Sequence, residues 1–173
     1  MRKTILGVVV ILGALAAQTN RTAPAVIISA DDIQATLKKG AANKITDQAM
    51  RTITVGNLNV GLGVVHRAAG DPQNAISHDE LTEIYHIVSG SGTLLSGGSL
   101  AKAERFPADS KTVKELAGPS SRGTAIENGV SRKVKAGDVV IIPAGSAHWF
   151  SQIDGAIEYE VIRVDPGRLL SLK

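Results

Sequence analysis

From about residue 50 to residue 164 the chain alternates apolar and polar positions in short runs, most of them closed by glycine, proline or asparagine. A period of two is the mark of β-strands with one buried face. The clearest run begins at Glu83, with Glu83, Tyr85 and Ile87 on one face and Ile84, His86 and Val88 on the other. Residues 50–55 alternate and stop at Gly56-Asn57, and residues 60–67 follow, which predicts a hairpin. Gly70-Asp71-Pro72 marks a turn, and residues 92–95 predict a strand before the turn at Gly97-Gly98. Residues 99–122 show no clear period and carry Lys, Glu, Ser and two prolines, so they read as a long surface loop. Residues 123–134 return to a strand pattern with Asn128-Gly129, a strong hairpin signal, near their centre. Residues 139–142 form a continuous apolar run, the pattern of a buried strand. Phe150 and residues 157–164 supply the last strands, and Pro166-Gly167 ends them. Roughly ten short strands at this spacing predict an antiparallel sandwich or barrel.

One helix precedes the strands. Ser29 can cap it, Asp32 completes a capping-box pattern, and the helix is expected to run to about Lys39 and stop at Gly40. Its acidic start and its Lys38-Lys39 end suit the helix dipole. No internal repeat and no second domain is visible. The 173 residues suit one domain, and with 43% apolar but only 3% aromatic residues the core is expected to be built from Val, Ile, Leu and Ala.

The first residues change the reading of the charge. Met1-Arg2-Lys3-Thr4 is basic, residues 5–16 are apolar, and Ala14-Leu15-Ala16 places small residues where a signal peptidase reads. This predicts a secretory signal peptide over residues 1–16, cleaved after Ala16 or Ala17, an arm and helix over 17–44, and a β-domain over 45–165. An uncleaved anchor is the other reading, but the run is shorter than the ~20 residues of a comfortable membrane span. Losing Arg2 and Lys3 lowers the 19 basic residues to 17 against 16 acidic ones. The mature part then has no nucleic-acid or membrane-surface footprint. The expected location is secreted or periplasmic, without disulfides because the chain has no cysteine. Any metal is then expected on nitrogen and oxygen ligands.

Candidate chemistry sits at two places. His78 lies just before the Glu83 strand, and if it turns to the Glu83 side the two make half a metal site. The other half is expected at His148. There a glycine turn at Gly137 leads into the 139–142 run, Pro143 and Gly145 make a second turn, and His148 opens the next strand. Alternation from His148 turns Trp149 away from the site and Phe150 and Gln152 toward it.

These two stretches resemble the motifs of the cupin superfamily. Gly137, Pro143, Gly145 and His148 match its second motif, with Gln152 at the place of a usual asparagine; Gly70, His78, Glu83 and Gly90 match its first. The resemblance implies an all-β jelly-roll (cupin) β-barrel with a short N-terminal helix, and small cupins of one domain commonly pair as homodimers. The first histidine of the family's His-x-His pair falls on Ile76, so the usual four ligands become three: His78, Glu83 and His148. Two histidines and one carboxylate leave open positions on a divalent metal ion, and iron, manganese, nickel and zinc all fit. The alternative is a decayed site in which Glu83 merely hydrogen-bonds to the histidines. By the family pattern Val65 and Arg67 point inward and His66 outward; His86 also points outward, toward solvent or a second subunit.

Tyr85 shares the Glu83 face and is the catalytic candidate beyond the metal ligands, as hydrogen-bond donor or acid–base group to a substrate; the bland reading is a core tyrosine. Phe150 is a candidate substrate platform or core ring. Arg67 at the barrel mouth is a candidate carboxylate binder or a solvated strand-end residue. Two functions are weighed. One is a metal-dependent enzyme of oxygenase, isomerase or lyase type acting on a small polar molecule; the other is a non-catalytic protein holding a small-molecule ligand, with or without metal. A weaker third is an interaction protein using an outer face at Trp149, His86 and Ile84.

Overall fold

The computed structural model describes residues 24–44, 46–71 and 73–173. The expected signal peptide, residues 1–16, lies outside the described residues, as does most of the arm that follows it.

The helix α1 spans Ala30–Asn43, and the Ser29 side chain caps it by accepting from the Asp32 backbone N–H at 3.1 Å. It runs past the expected stop at Gly40. Lys44 caps it in the left-handed region, its N–H bonding the Gly40 carbonyl, so Lys38 and Lys39 are not in the last turn. The physical reason is packing. Leu37 and Gly40 are buried against the barrel, and the alanines that follow favour the helix.

The strands are β1 (Asp47–Val55), β2 (Leu58–Ala68), β3 (Ala75–His78), β4 (Thr82–Ser96), β5 (Ser99–Ala101), β6 (Glu104–Arg105), β7 (Ser120–Gly123), β8 (Ala125–Glu127), β9 (Val130–Lys135), β10 (Val139–Ile142) and β11 (His148–Asp165). All their pairings are antiparallel. The long strands β4 and β11 pair along nearly their whole length and bend together. Their Thr82–Gly90 and Ile157–Val164 halves lie in one layer, ordered β1-β2-β11-β4-β10. Their other halves lie in the second layer, ordered β9-β4-β11-β3-β7-β6. The inner faces of the two layers share one core, with Tyr85, Ile87, Tyr159 and Val161 from the first and Leu94, Val134, Phe150 and Ile153 from the second. The described residues form an all-β jelly-roll barrel preceded by the helix α1.

Four local expectations are corrected. Residues 99–122 are not a bare loop, since they hold β5, β6, a five-residue π-turn at Val113–Ala117 and the start of β7. Strands of two to four residues are too short to show a period. Asn128-Gly129 joins no hairpin: β8 pairs with β5 and β9 with β4, so the turn carries the chain between sheets. The 139–142 run is an edge strand paired with β4 alone, and it alternates, with Val139 61% and Ile141 66% exposed while Ile142 is buried. Finally, a register shift between Phe150 and Gln152 reverses the phase of β11. Gln152 is exposed and bonds Asp154, and Ile153 takes the inward place.

Candidate metal centre

Strand pairing delivers the three expected ligands to one point. His78 ends β3, where its register partner is Ser120, and Glu83 lies at the start of β4 opposite Ile142. His148 opens β11 opposite Ile76. The Pro143-Gly145 turn, with Gly145 at φ +79°, donates its Gly145 N–H to the His78 carbonyl at 2.6 Å, so one turn ties both motifs together. All three side chains are buried. The His78 Nε2 and the His148 Nε2 each lie 3.4 Å from the same oxygen, Glu83 Oε2. A ligand atom from each of the three lies within 4.8 Å of the other two.

Hydrogen bonding on the far side of each ring fixes what these nitrogens present. His148 Nδ1 is 3.0 Å from the Ser146 carbonyl, an acceptor, so Nδ1 carries the proton. His78 Nδ1 is 2.9 Å from Ser120 Oγ, whose own hydrogen goes to the Ala117 or Gly118 carbonyl at 2.8 and 3.0 Å. His78 Nδ1 is therefore the donor there as well. In the neutral rings both Nε2 atoms aim lone pairs at a carboxylate oxygen, and the buried His148 Nε2 has no hydrogen-bond partner. Three electron-rich atoms facing one another require a cation between them, a metal ion or a proton on an imidazole. Outward N–H groups held by protein acceptors are the usual support of metal-bound histidines.

Glu83 is held as an anion. Burial alone would raise its pKa, but the electrostatic influence of His78 and of the Arg163 guanidinium, which donates to Oε1, outweighs burial and holds the carboxyl well below the usual range. Arg163 is the residue the sequence reading missed. It is 3% exposed and donates from Nε to Glu83 Oε1 at 3.0 Å and from Nη2 to Asp47 Oδ2 at 2.5 Å. Its seat is made by β2: a Cβ at Gly63 would lie 2.9 Å from Arg163 Nη1, and one at Gly61 3.6 Å from Arg163 Cβ. Two glycines one residue apart inside a strand were the available signal.

The other expected site residues line the same cavity, of about 330 Å³. Tyr85 faces inward and donates its hydroxyl to Glu83 Oε2 at 2.7 Å. Burial, then the Glu83 charge, pushes the Tyr85 pKa well up and keeps it a donor. Phe150 is buried, its ring 5.7 Å from that of Tyr159. Arg67 turns inward and donates from Nε to the Tyr159 hydroxyl at 3.1 Å. Ile76 lines the cavity at the place of the missing histidine. His66 and His86 stand outside, on Glu158 at 3.0 Å and Glu160 at 3.1 Å. A larger groove of about 540 Å³ lies outside the barrel between α1, β1 and the C-terminus, but it holds none of the three ligands.

No family model and no curated protein matches the sequence. Solved structures align with it at low identity. Oxalate oxidase is 23% identical with a TM-score of 0.37, over 62% of this chain and 42% of that one. DMSP lyase DddQ from Ruegeria pomeroyi is 17% identical with a TM-score of 0.44, over 82% of this chain and 67% of that one. An RmlC-like cupin with a double-stranded β-helix fold from Methanocaldococcus jannaschii is 12% identical with a TM-score of 0.41, over 69% of this chain and 81% of that one. The chain thus spans less than half the length of the oxalate oxidase it aligns with. Its resemblance to the cupin superfamily rests on the order of the two motifs, the jelly-roll strand pairing, and the meeting of His78, Glu83 and His148 in one barrel.

Proposed function

We propose that this protein binds a divalent metal ion through His78, Glu83 and His148 and acts on a small polar molecule inside the barrel. The observation that carries this reading is the buried His148 Nε2, without a hydrogen-bond partner and 3.4 Å from Glu83 Oε2. Two imidazole nitrogens and a carboxylate oxygen suit iron, manganese, nickel or zinc. When bound, such an ion polarises a substrate oxygen or activates dioxygen, the chemistry of isomerases, lyases and oxygenases. The chain's own residues set the stage. Ser120 and the Ser146 carbonyl orient the rings, Arg163 occupies Glu83 Oε1 and leaves Oε2 to face them, and the Tyr85 hydroxyl donates a hydrogen bond to Oε2. Phe150 and Val161 wall the cavity with apolar surface.

Export belongs to this reading, supported by the basic, apolar and small-residue order of residues 1–16. So does pairing as a homodimer, supported by the exposed Val139 and Ile141 on the edge strand β10.

A second reading, a ligand-binding barrel without turnover, has its own support: the Tyr85 hydroxyl is already committed to Glu83. His148→Ala separates the two. In a screen of the metal-loaded protein against small hydroxy and keto acids, an enzyme gives product with wild type and none with His148→Ala, while circular dichroism is unchanged. A binder retains a ligand and yields no product with either protein.

A further inference from the structure

We infer that the barrel takes a small carboxylic acid whose carboxylate is held by Arg67, an inference that deepens the metal reading and rests on it. Arg67 lines the cavity, and its Nε is spent on the Tyr159 hydroxyl at 3.1 Å. Among the described residues, no acceptor is within hydrogen-bond reach of its Nη1 or Nη2, and no carboxylate pairs with it within 4.0 Å. The other cavity arginine differs. Arg163 is already paired with two carboxylates, Glu83 and Asp47. A guanidinium presents a planar fork that matches a carboxylate with two parallel hydrogen bonds, and here that fork is unclaimed.

The charge in the cavity points the same way. Its charged lining residues are Asp47 and Glu83 against Arg67 and Arg163, which balance with neutral histidines. A divalent ion on His78, Glu83 and His148 then leaves two positive charges in excess inside a largely buried space, and an anionic occupant offsets them. Carboxylate is favoured over phosphate by the walls and the size. Val65, Leu94, Phe150 and Val161 are apolar, and about 330 Å³ is at the small end of ligand cavities. The amides of Gln73 and Asn74, on the loop after β2, add polar lining. The ligand is thus a short acid with its carboxylate on Arg67 and its other end reaching the three-ligand centre.

The test is calorimetric titration of zinc-loaded protein with acetate, propionate, 2-hydroxypropionate and 2-oxopropionate, with the matching amides and with inorganic phosphate. At least one acid is expected to bind at millimolar or lower concentration, and its amide about 10- to 100-fold more weakly. Arg67→Met is expected to weaken the acid by a similar factor and leave the amide unchanged, with Arg67→Lys between wild type and Arg67→Met. Equal binding of acid and amide, preference for phosphate, no acid bound at tens of millimolar, or unchanged acid binding in Arg67→Met would each overturn the inference. Zinc stoichiometry and circular dichroism are read on every variant, and Arg67→Gln replaces Arg67→Met if the latter does not fold. Stoichiometric zinc with acid binding indifferent to Arg67 defeats this inference alone. Acid binding that depends on Arg67 in protein that takes up no metal defeats the metal reading alone.

Discussion

Arg163→Met is expected to lower the stability of the metal-free protein by about 3–5 kcal/mol. The side chain is 3% exposed and pairs with two carboxylates at once, Glu83 at 3.0 Å and Asp47 at 2.5 Å. Methionine fills much of the volume but leaves both acids without their guanidinium. Asp47 suffers most, because its Oδ1 already lacks a hydrogen-bond partner. Breaking one side of a buried ion network costs far more than replacing the whole network with neutral groups. The triple variant Arg163→Met, Glu83→Gln, Asp47→Asn is therefore expected to recover much of the loss. Urea unfolding in the presence of a chelator measures both, so that metal binding does not add to the apparent stability. A loss below about 1 kcal/mol for the single variant would mean that Arg163 is not the counter-ion of this cluster.

Gly90→Ala is expected to cost about 2–5 kcal/mol, from two sources that can be separated. Gly90 sits at φ +76° where β4 passes from one layer to the other, and a Cβ there would lie 1.9 Å from the Ala156 carbonyl oxygen and 3.0 Å from Ile157 Cα. Those are backbone atoms of the partner strand at its own bend, so the clash cannot be relieved by turning a side chain. Gly137 is the control. It has φ +91° with nothing within 4 Å of a built Cβ, so Gly137→Ala carries only the left-handed backbone cost of about 1–2 kcal/mol. Chemical denaturation of both variants checks the difference. Equal losses would show that the crossing of β4 and β11 at Gly90 has room to spare.

Much of this architecture was legible because local rules and the fold agree. The alternation from Glu83 to Val88 fixed which side chains of β4 point inward, and Glu83, Tyr85 and Ile87 are indeed buried. The spacing of Gly137, Pro143, Gly145 and His148 foretold a turn that brings His148 to His78, and a hydrogen bond from Gly145 to His78 completes it. Ser29 caps its helix as expected. What escaped depends on partners distant in sequence. The shift at Ser151 that turns Gln152 outward is set by how β11 meets Leu94 and Thr93 on β4. Val139 and Ile141 looked buried because an apolar run does not reveal that its strand lies at a sheet edge. Asn128-Gly129 favours a hairpin locally, yet β8 and β9 each find a partner elsewhere. Arg163 follows the inward phase of Tyr159 and Val161, but its place beside Glu83 appears only when β11 is laid against β4. The pair Gly61 and Gly63 was a cue to a bulky neighbour, without saying which.

The claim that most needs testing is that His78, Glu83 and His148 hold a metal ion. The direct measurement is the metal content of the purified protein by mass spectrometry, before and after reconstitution, beside His148→Ala and Glu83→Ala. About one iron, manganese, nickel or zinc per chain in wild type is predicted, lost in both variants, with the wild-type circular dichroism kept by His148→Ala. Wild type that takes up no metal after reconstitution, or a His148→Ala variant that retains it in full, would contradict the metal centre.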